Sequence, residues 1–211
     1  MKSIVVLISG RGTNLEAIVG AARREAWPVR LAGVVSNRPQ ARGLEWARAH
    51  GLPTAVVDHT AFASREAFDA ALVESIDALA GPGGPDLLVL AGFMRVLGEA
   101  FVQRHSGRMF NIHPSLLPAF PGLHTHARAL QAGCRYAGAT VHLVTPELDH
   151  GPIAAQAVVA IHPDDDESRL AERVLARECV MYPRVLRWLA QDRLVLRDGR
   201  FVQLDGEPLS F

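Results

Sequence analysis

The sequence predicts an α/β fold, Rossmann-like, in which a single domain is built on a mostly parallel twisted sheet with helices on both faces. Short, wholly apolar runs such as Ile4–Ile8 and Leu87–Ala91 alternate with longer stretches of helical periodicity. Strands that are apolar on both faces belong to sheets covered on both sides. The chain has 211 residues, 49% of them hydrophobic, which is enough for a sizeable core. No internal repeat, low-complexity segment or linker interrupts the alternation.

The elements follow in order. Ile4–Ile8 is the first strand, and Asn14 to about Glu25 is a helix on the periodicity of Leu15, Ile18, Val19 and Ala22. Leu31–Val35 is the second strand, Ala41–His50 a helix and Thr54–Val57 a short third strand. Ser64 starts a helix that runs to about Ala80, with Glu66, Phe68, Leu72 and Ile76 behind it. Gly81-Pro82-Gly83-Gly84-Pro85 is a turn before the fourth strand, Leu87–Ala91. Arg108–Ile112 is a fifth strand, and Ala139–Thr145 and Ile153–Ile161 are two more, close enough to be neighbours. A long helix spans about Glu167 to Leu189, and Leu194–Leu196 and Phe201–Leu204 are strand-like.

The charge balance narrows the function. Lys plus Arg and Asp plus Glu are both 22, so nothing calls for a nucleic-acid partner, which needs a concentrated basic face. No apolar run reaches the length of a membrane span. The two cysteines, Cys134 and Cys179, are isolated and read as ordinary thiols of a reducing compartment. A cytoplasmic protein is expected.

In open parallel sheets ligands bind beyond the carboxyl ends of the strands, so function is sought there. Ser9-Gly10-Arg11-Gly12-Thr13-Asn14 follows the first strand and opens a helix. Small residues there let N–H groups approach an anion at the helix N-terminus. A tight turn with an N-cap accounts for the same residues. The loop is not a dinucleotide fingerprint, because Leu15 stands where a third glycine is needed and the second strand ends in Ser36-Asn37 without an acid.

The fifth strand leads into Asn111-Ile112-His113-Pro114. Alternation puts Asn111 and His113 on one face, where an amide and an imidazole can both donate to a developing oxyanion. A hydrogen-bonded packing role fits the same two residues. Asp149, between two neighbouring strands, offers a carboxylate that can face His113 and favour its imidazolium; an exposed turn rich in Asp and Gly is the other reading. His124-Thr125-His126 gives two ligands without a third at usual spacing, so no metal is expected. The acidic run Asp164–Glu167 caps the last helix.

Together the segments IVVLISGRGTNL (Ile4–Leu15), LAGFMRVL (Leu90–Leu97), NIHPSLLP (Asn111–Pro118), PGLHTH (Pro121–His126), VHLVTPELDHG (Val141–Gly151) and ECVMYP (Glu178–Pro183) resemble the folate-dependent phosphoribosylglycinamide formyltransferases. The resemblance covers nearly the whole chain. It implies a single formyltransferase domain over 1–211, its N-terminal half for phosphate and glycinamide ribonucleotide, its C-terminal half for folate and catalysis. It implies transfer of the formyl group of 10-formyltetrahydrofolate to the amine of glycinamide ribonucleotide in purine biosynthesis. It further implies small-molecule substrates only, no metal, and a monomer or weak homodimer.

Residue by residue, the resemblance implies that Gly12, Thr13 and Asn14 hold the phosphate side, with Glu178 on the ribose. Arg65 and the backbone of Met94, Arg95, Val96 and Leu97 take the folate, as does Asn111. Asn111, His113 and Asp149 are the catalytic set. The family often has two glycines after the aspartate; here His150 precedes Gly151. Hydrolysis of the formyl folate, formylation of another acceptor, and a non-catalytic nucleotide-binding module are the rival readings.

Overall fold

The computed structural model describes residues 1–206, 208, 209 and 211. The chain divides into two compact units, Met1–Phe110 and Asn111–Phe211.

In the first unit, β1 (Lys2–Ile8), β2 (Val29–Ser36), β3 (Thr54–Val56) and β4 (Leu87–Leu90) are ordered β3-β2-β1-β4. The pairs β1/β2, β1/β4 and β2/β3 are all parallel. Ile4 through Ile8 are buried without alternation, and so are Leu87 through Leu90, as strands covered on both faces require.

Helices α1 (Thr13–Arg24), α2 (Arg42–Ala49), α3 (Arg65–Ala80) and α4 (Glu99–Arg104) fill the connections. Helix α1 buries Leu15, Ile18, Val19 and Ala22, with Glu16 in its first turn and Arg23 and Arg24 in its last, where they complement the helix dipole. The Ser64 hydroxyl caps α3, accepting from Ala67 N at 3.1 Å, so this helix starts where the sequence places it.

Strand β5 (Met109–His113) opens at the end of the first unit and carries into the second, one residue later than expected. The second unit continues with α5 (Thr125–Gln131), β6 (Tyr136–Leu143), β7 (Ile153–Ala160), α6 (Glu167–Ala190) and a hairpin of β8 (Leu194–Arg197) and β9 (Arg200–Gln203). Strands β6 and β7 are neighbours, as expected, and antiparallel. Their register shifts between Val141 and His142, so that Val141 faces Ala155 and His142 faces Ile153. Such a bulge turns the strand locally and re-aims its side chains.

Helix α6 packs on β6 and β7. Its start is capped by the Asp166 carboxylate, which accepts from Arg169 N at 2.8 Å, as the acidic run predicts. Among the described residues no helix is long and apolar enough to cross a membrane.

Candidate active site

The end of β5, the end of β6 and the loop after β6 bring four polar side chains together inside the second unit: Asn111, His113, His142 and Asp149. Asn111 and His113 alternate along β5; Thr140 and His142 alternate along β6. Asn111 Nδ2 lies 3.3 Å from His142 Nε2. Asp149, in the loop between β6 and β7, reaches both imidazoles: its Oδ2 is 3.4 Å from His113 Nδ1 and its Oδ1 is 3.7 Å from His142 Nε2. His113 and His142 are both buried, and the Asp149 side chain is only 7% exposed.

The hydrogen bonds fix the ring atoms. Leu143 O accepts at 3.0 Å from His142 Nδ1; a carbonyl only accepts, so Nδ1 carries the proton. Burial pushes the His142 pKa below its ordinary 6.5, against the opposing pull of the Leu143 carbonyl and Asp149. In the neutral ring Nε2 is an acceptor, matched to the Asn111 amide. His113 Nε2 donates to Phe120 O at 3.0 Å. The one N–H that His113 has to offer a ligand is held by a backbone carbonyl, and any oxyanion bound there takes that carbonyl's place.

The segment after β5 is anchored from several sides. The Thr140 hydroxyl donates to Ser115 O at 2.7 Å and accepts from Leu117 N at 3.1 Å. Arg128 donates to Pro121 O at 2.6 Å and lies over the Phe120 ring, 5.4 Å from its centroid. Asp149 Oδ2 accepts from Gly122 N at 2.9 Å, so one carboxylate both faces the imidazoles and holds the Phe120 turn.

Asp149 itself has φ 57, a left-handed conformation that Asp tolerates better than most residues. His150 turns away: its Nδ1 donates to Leu148 O at 2.6 Å, and its side chain is half exposed beside Glu147. At Gly151 a Cβ would stand 1.8 Å from Leu143 O, so glycine is required there by close approach of two backbones.

In the first unit the glycine loop is held at its start. Ser9 N donates to Gly92 O at 3.1 Å. Gly12 takes φ 87 at the N-terminus of α1, and no side chain caps that end, leaving Thr13 and Asn14 at a helix start. The Ser9 hydroxyl is short-bonded to Asn37 Oδ1 at 2.5 Å and accepts from Met94 N at 2.7 Å. Thus the glycine loop meets the Met94–Leu97 segment through Ser9. Met94 and Val96 are exposed, Arg95 is exposed beside them, and Arg65 opens α3.

The structure therefore joins Asn111, His113 and Asp149 in one cluster and joins the glycine loop to Met94. Glu178 is buried on α6 of the second unit. His124 is exposed at the start of α5, and among the described residues no three His, Cys, Asp or Glu side chains are grouped to hold a metal. His142, Phe120, Ser9 and Asn37 were not singled out from the sequence. For His142 a signal exists: it is a histidine two residues from Thr140 in a strand, so that two polar side chains share one face of an otherwise apolar run. For the Phe120 carbonyl there is none, because a backbone contact leaves no side-chain signature.

The chain is similar to known proteins in both sequence and structure. Residues 2–186 match the family described as formyl transferase. The chain is 46% identical over 207 residues to phosphoribosylglycinamide formyltransferase of Escherichia coli (strain K12), covering 98% of this chain and 95% of that one. It is similar in structure to glycinamide ribonucleotide transformylase 1 of Symbiobacterium toebii, with TM-score 0.91, 46% identity and coverage of 97% and 95%. The phosphoribosylglycinamide formyltransferase of Coxiella burnetii gives TM-score 0.88 and 47% identity, with coverage of 96% and 93%.

Proposed function

The chain belongs to the formyl transferase family, and from that premise we propose that it is a phosphoribosylglycinamide formyltransferase of purine biosynthesis, working in the cytoplasm. It transfers the formyl group of 10-formyltetrahydrofolate to the amine of 5-phosphoribosylglycinamide. The observation that carries the reading is the cluster of Asn111, His113 and Asp149 around His142: it holds two N–H donors and one carboxylate, and the transfer needs those groups.

The amine nitrogen attacks the formyl carbon, and the carbonyl electron pair moves onto oxygen. Asn111 donates to this oxyanion from its amide, and His113 from Nε2, in place of the Phe120 carbonyl. Preorganised donors aimed at developing charge are the largest ordinary source of rate enhancement in acyl transfer. Collapse of the tetrahedral intermediate breaks the bond from the formyl carbon to N10 of the folate. The proton lost by the amine passes to that nitrogen, with Asp149 relaying it through water. The two donors supply the charge stabilisation, so the step as written requires no metal ion.

Binding roles follow the same reading. Gly12, Thr13 and Asn14 take the phosphate, supported by the uncapped start of α1, and Glu178 takes the ribose. Arg65 and the Met94–Leu97 segment take the folate. Within that segment the Met94 N–H is already given to Ser9, which leaves the Met94 carbonyl and the backbone of Arg95, Val96 and Leu97 for the ligand.

An assay with 10-formyltetrahydrofolate, with and without glycinamide ribonucleotide, tests the function. Formylated product only when the amine is present is the expected result. Formate release without the amine would make the protein a hydrolase, and silence in both arms would overturn a catalytic role.

A further inference from the structure

We infer that Ser9 and Asp69 are positioning residues that clamp the two ends of the Met94–Leu97 segment and thereby set the affinity for the folate substrate. The inference rests on the reading that this segment holds the folate.

The segment leaves β4 and runs exposed to the start of α4, a stretch that would otherwise be a free loop. Its first N–H, of Met94, donates to the Ser9 hydroxyl at 2.7 Å. The N–H just past its end, of Gly98, donates to Asp69 Oδ2 at 2.7 Å. Both acceptors are buried, Ser9 at 4% and Asp69 at 7% exposure, whereas Met94 and Val96 between them are 60% and 56% exposed. Two rigid points in the core thus hold a solvent-facing backbone from below. A backbone kept in its bound shape before the ligand arrives gives up less freedom on binding.

Each pin is itself fixed. The Ser9 hydroxyl donates its own hydrogen to Asn37 Oδ1, so its lone pairs are left for Met94. Asn37 is 1% exposed and its Nδ2 lies 3.2 Å from His59 Nδ1. Asp69 sits one turn into α3 from Arg65.

The role of Asp69 is that of an acceptor rather than a charge. Its Oδ1 is buried with no hydrogen-bond partner among the described residues. Burial pushes its carboxyl pKa up, against the Gly98 N–H and the Arg65 and Arg95 charges that pull it down. An amide at this position keeps the oxygen that Gly98 needs. Neither residue reaches the cluster at Asn111 and His113 through any of these bonds, so the clamp acts on binding and leaves the chemical step alone.

The experiment compares Ser9→Ala, Asp69→Ala and Asp69→Asn with the native protein. Two measurements are made: steady-state kinetics with each substrate varied, and equilibrium binding of tetrahydrofolate. Ser9→Ala and Asp69→Ala are expected to raise the folate KM and the tetrahydrofolate Kd by about tenfold, the order expected for one buried hydrogen bond. The KM for glycinamide ribonucleotide and kcat stay within about twofold, and Asp69→Asn restores folate binding to near the native value.

Unchanged folate affinity in both alanine variants would overturn the clamp. So would an equal rise in KM for both substrates, or an Asp69→Asn protein as weak as Asp69→Ala. Should Asp69→Ala fail to fold, Ser9→Ala against Asp69→Asn decides. If the native protein binds tetrahydrofolate and transfers no formyl group, the proposed function falls while the Kd ratios still judge the clamp.

Discussion

The Asn111 amide faces the His142 ring at 3.3 Å, Nδ2 to Nε2, and the Leu143 carbonyl on the far side of the ring makes that nitrogen an acceptor. His142 therefore orients the carboxamide proposed to bind the oxyanion. His142→Ala is expected to lower kcat by roughly 10- to 100-fold, the cost of a donor misplaced by about 1 Å, with an unchanged circular dichroism spectrum. His142→Gln, which offers a carbonyl oxygen to the same amide, is expected to recover part of the loss. Native kcat in His142→Ala would remove the ring from the site.

Asn111→Ala and His113→Ala each delete one proposed oxyanion donor. Losing one such donor costs about 2.7–4 kcal/mol in the barrier, so kcat falls by hundreds-fold or more in either variant. Both should fold, because each leaves the apolar neighbours Phe110 and Ile112 in place. Purified variants with turnover close to native would exclude the mechanism.

Asp149 combines a charge near two imidazoles with an acceptor for Gly122 N at 2.9 Å. Asp149→Asn separates the two. An asparagine oxygen still accepts from Gly122, so the Phe120 turn should stay in place, while the charge and the proton relay are lost. A fall in kcat of about 10²- to 10⁴-fold, with little change in either KM, is the expected result. A large rise in both KM values with kcat preserved would make Asp149 a loop anchor alone.

Much of this was legible in the sequence because the signals are local. The apolar runs at Ile4–Ile8 and Leu87–Leu90 needed no tertiary knowledge to read as buried parallel strands, and they are so. Ser64 and Asp166 cap the helices they were expected to start. Strand β6 was less legible. It was expected to begin at Ala139 and begins at Tyr136; an exposed tyrosine and Gly138 read as loop, and only pairing of Tyr136 with Ala160 and Gly138 with Val158 makes them strand. Helices α4 and α5, of six and seven residues, are too short to show a periodicity.

The site divides in the same way. Asn111 and His113 stand out as polar residues in the last residues of a strand, and Asp149 as a carboxylate in the loop between two neighbouring strands. Ser9 and Asp69 matter through the backbone N–H groups they hold, and such partners are set by the fold rather than by spacing.

Gly151 is where the Asp149 loop rejoins β7, and its α-carbon lies against the Leu143 carbonyl. Gly151→Ala places a methyl carbon where a backbone oxygen stands, and neither can yield without moving the strand or the loop. A loss of stability of roughly 1–3 kcal/mol, the ordinary cost of overpacking, is expected in denaturant unfolding. Displacement of Asp149 should lower kcat as well. An alanine variant as stable and as active as native would show that the loop has slack.

Acid should weaken the fold through three histidines that folding desolvates. Burial pushes the pKa values of His105, His126 and His142 below the ordinary 6.5. In the folded protein these rings stay neutral as pH falls past that value, whereas in the unfolded chain they bind protons. The unfolded state then carries more protons, and stability drops as pH falls through about 6.5 until the folded values are reached. His105 is the cleanest probe, being 0% exposed and taking no part in the contacts among Asn111, His113, His142 and Asp149; its Nδ1 donates to Phe101 O at 3.0 Å. Asparagine can donate to the same carbonyl and does not titrate. The urea midpoint of the native protein is therefore expected to fall between pH 7.5 and pH 5.5, and that of His105→Asn to fall less. Equal falls in the two proteins would acquit His105, and a native midpoint that rises on acidification would reverse the sign assigned to all three rings.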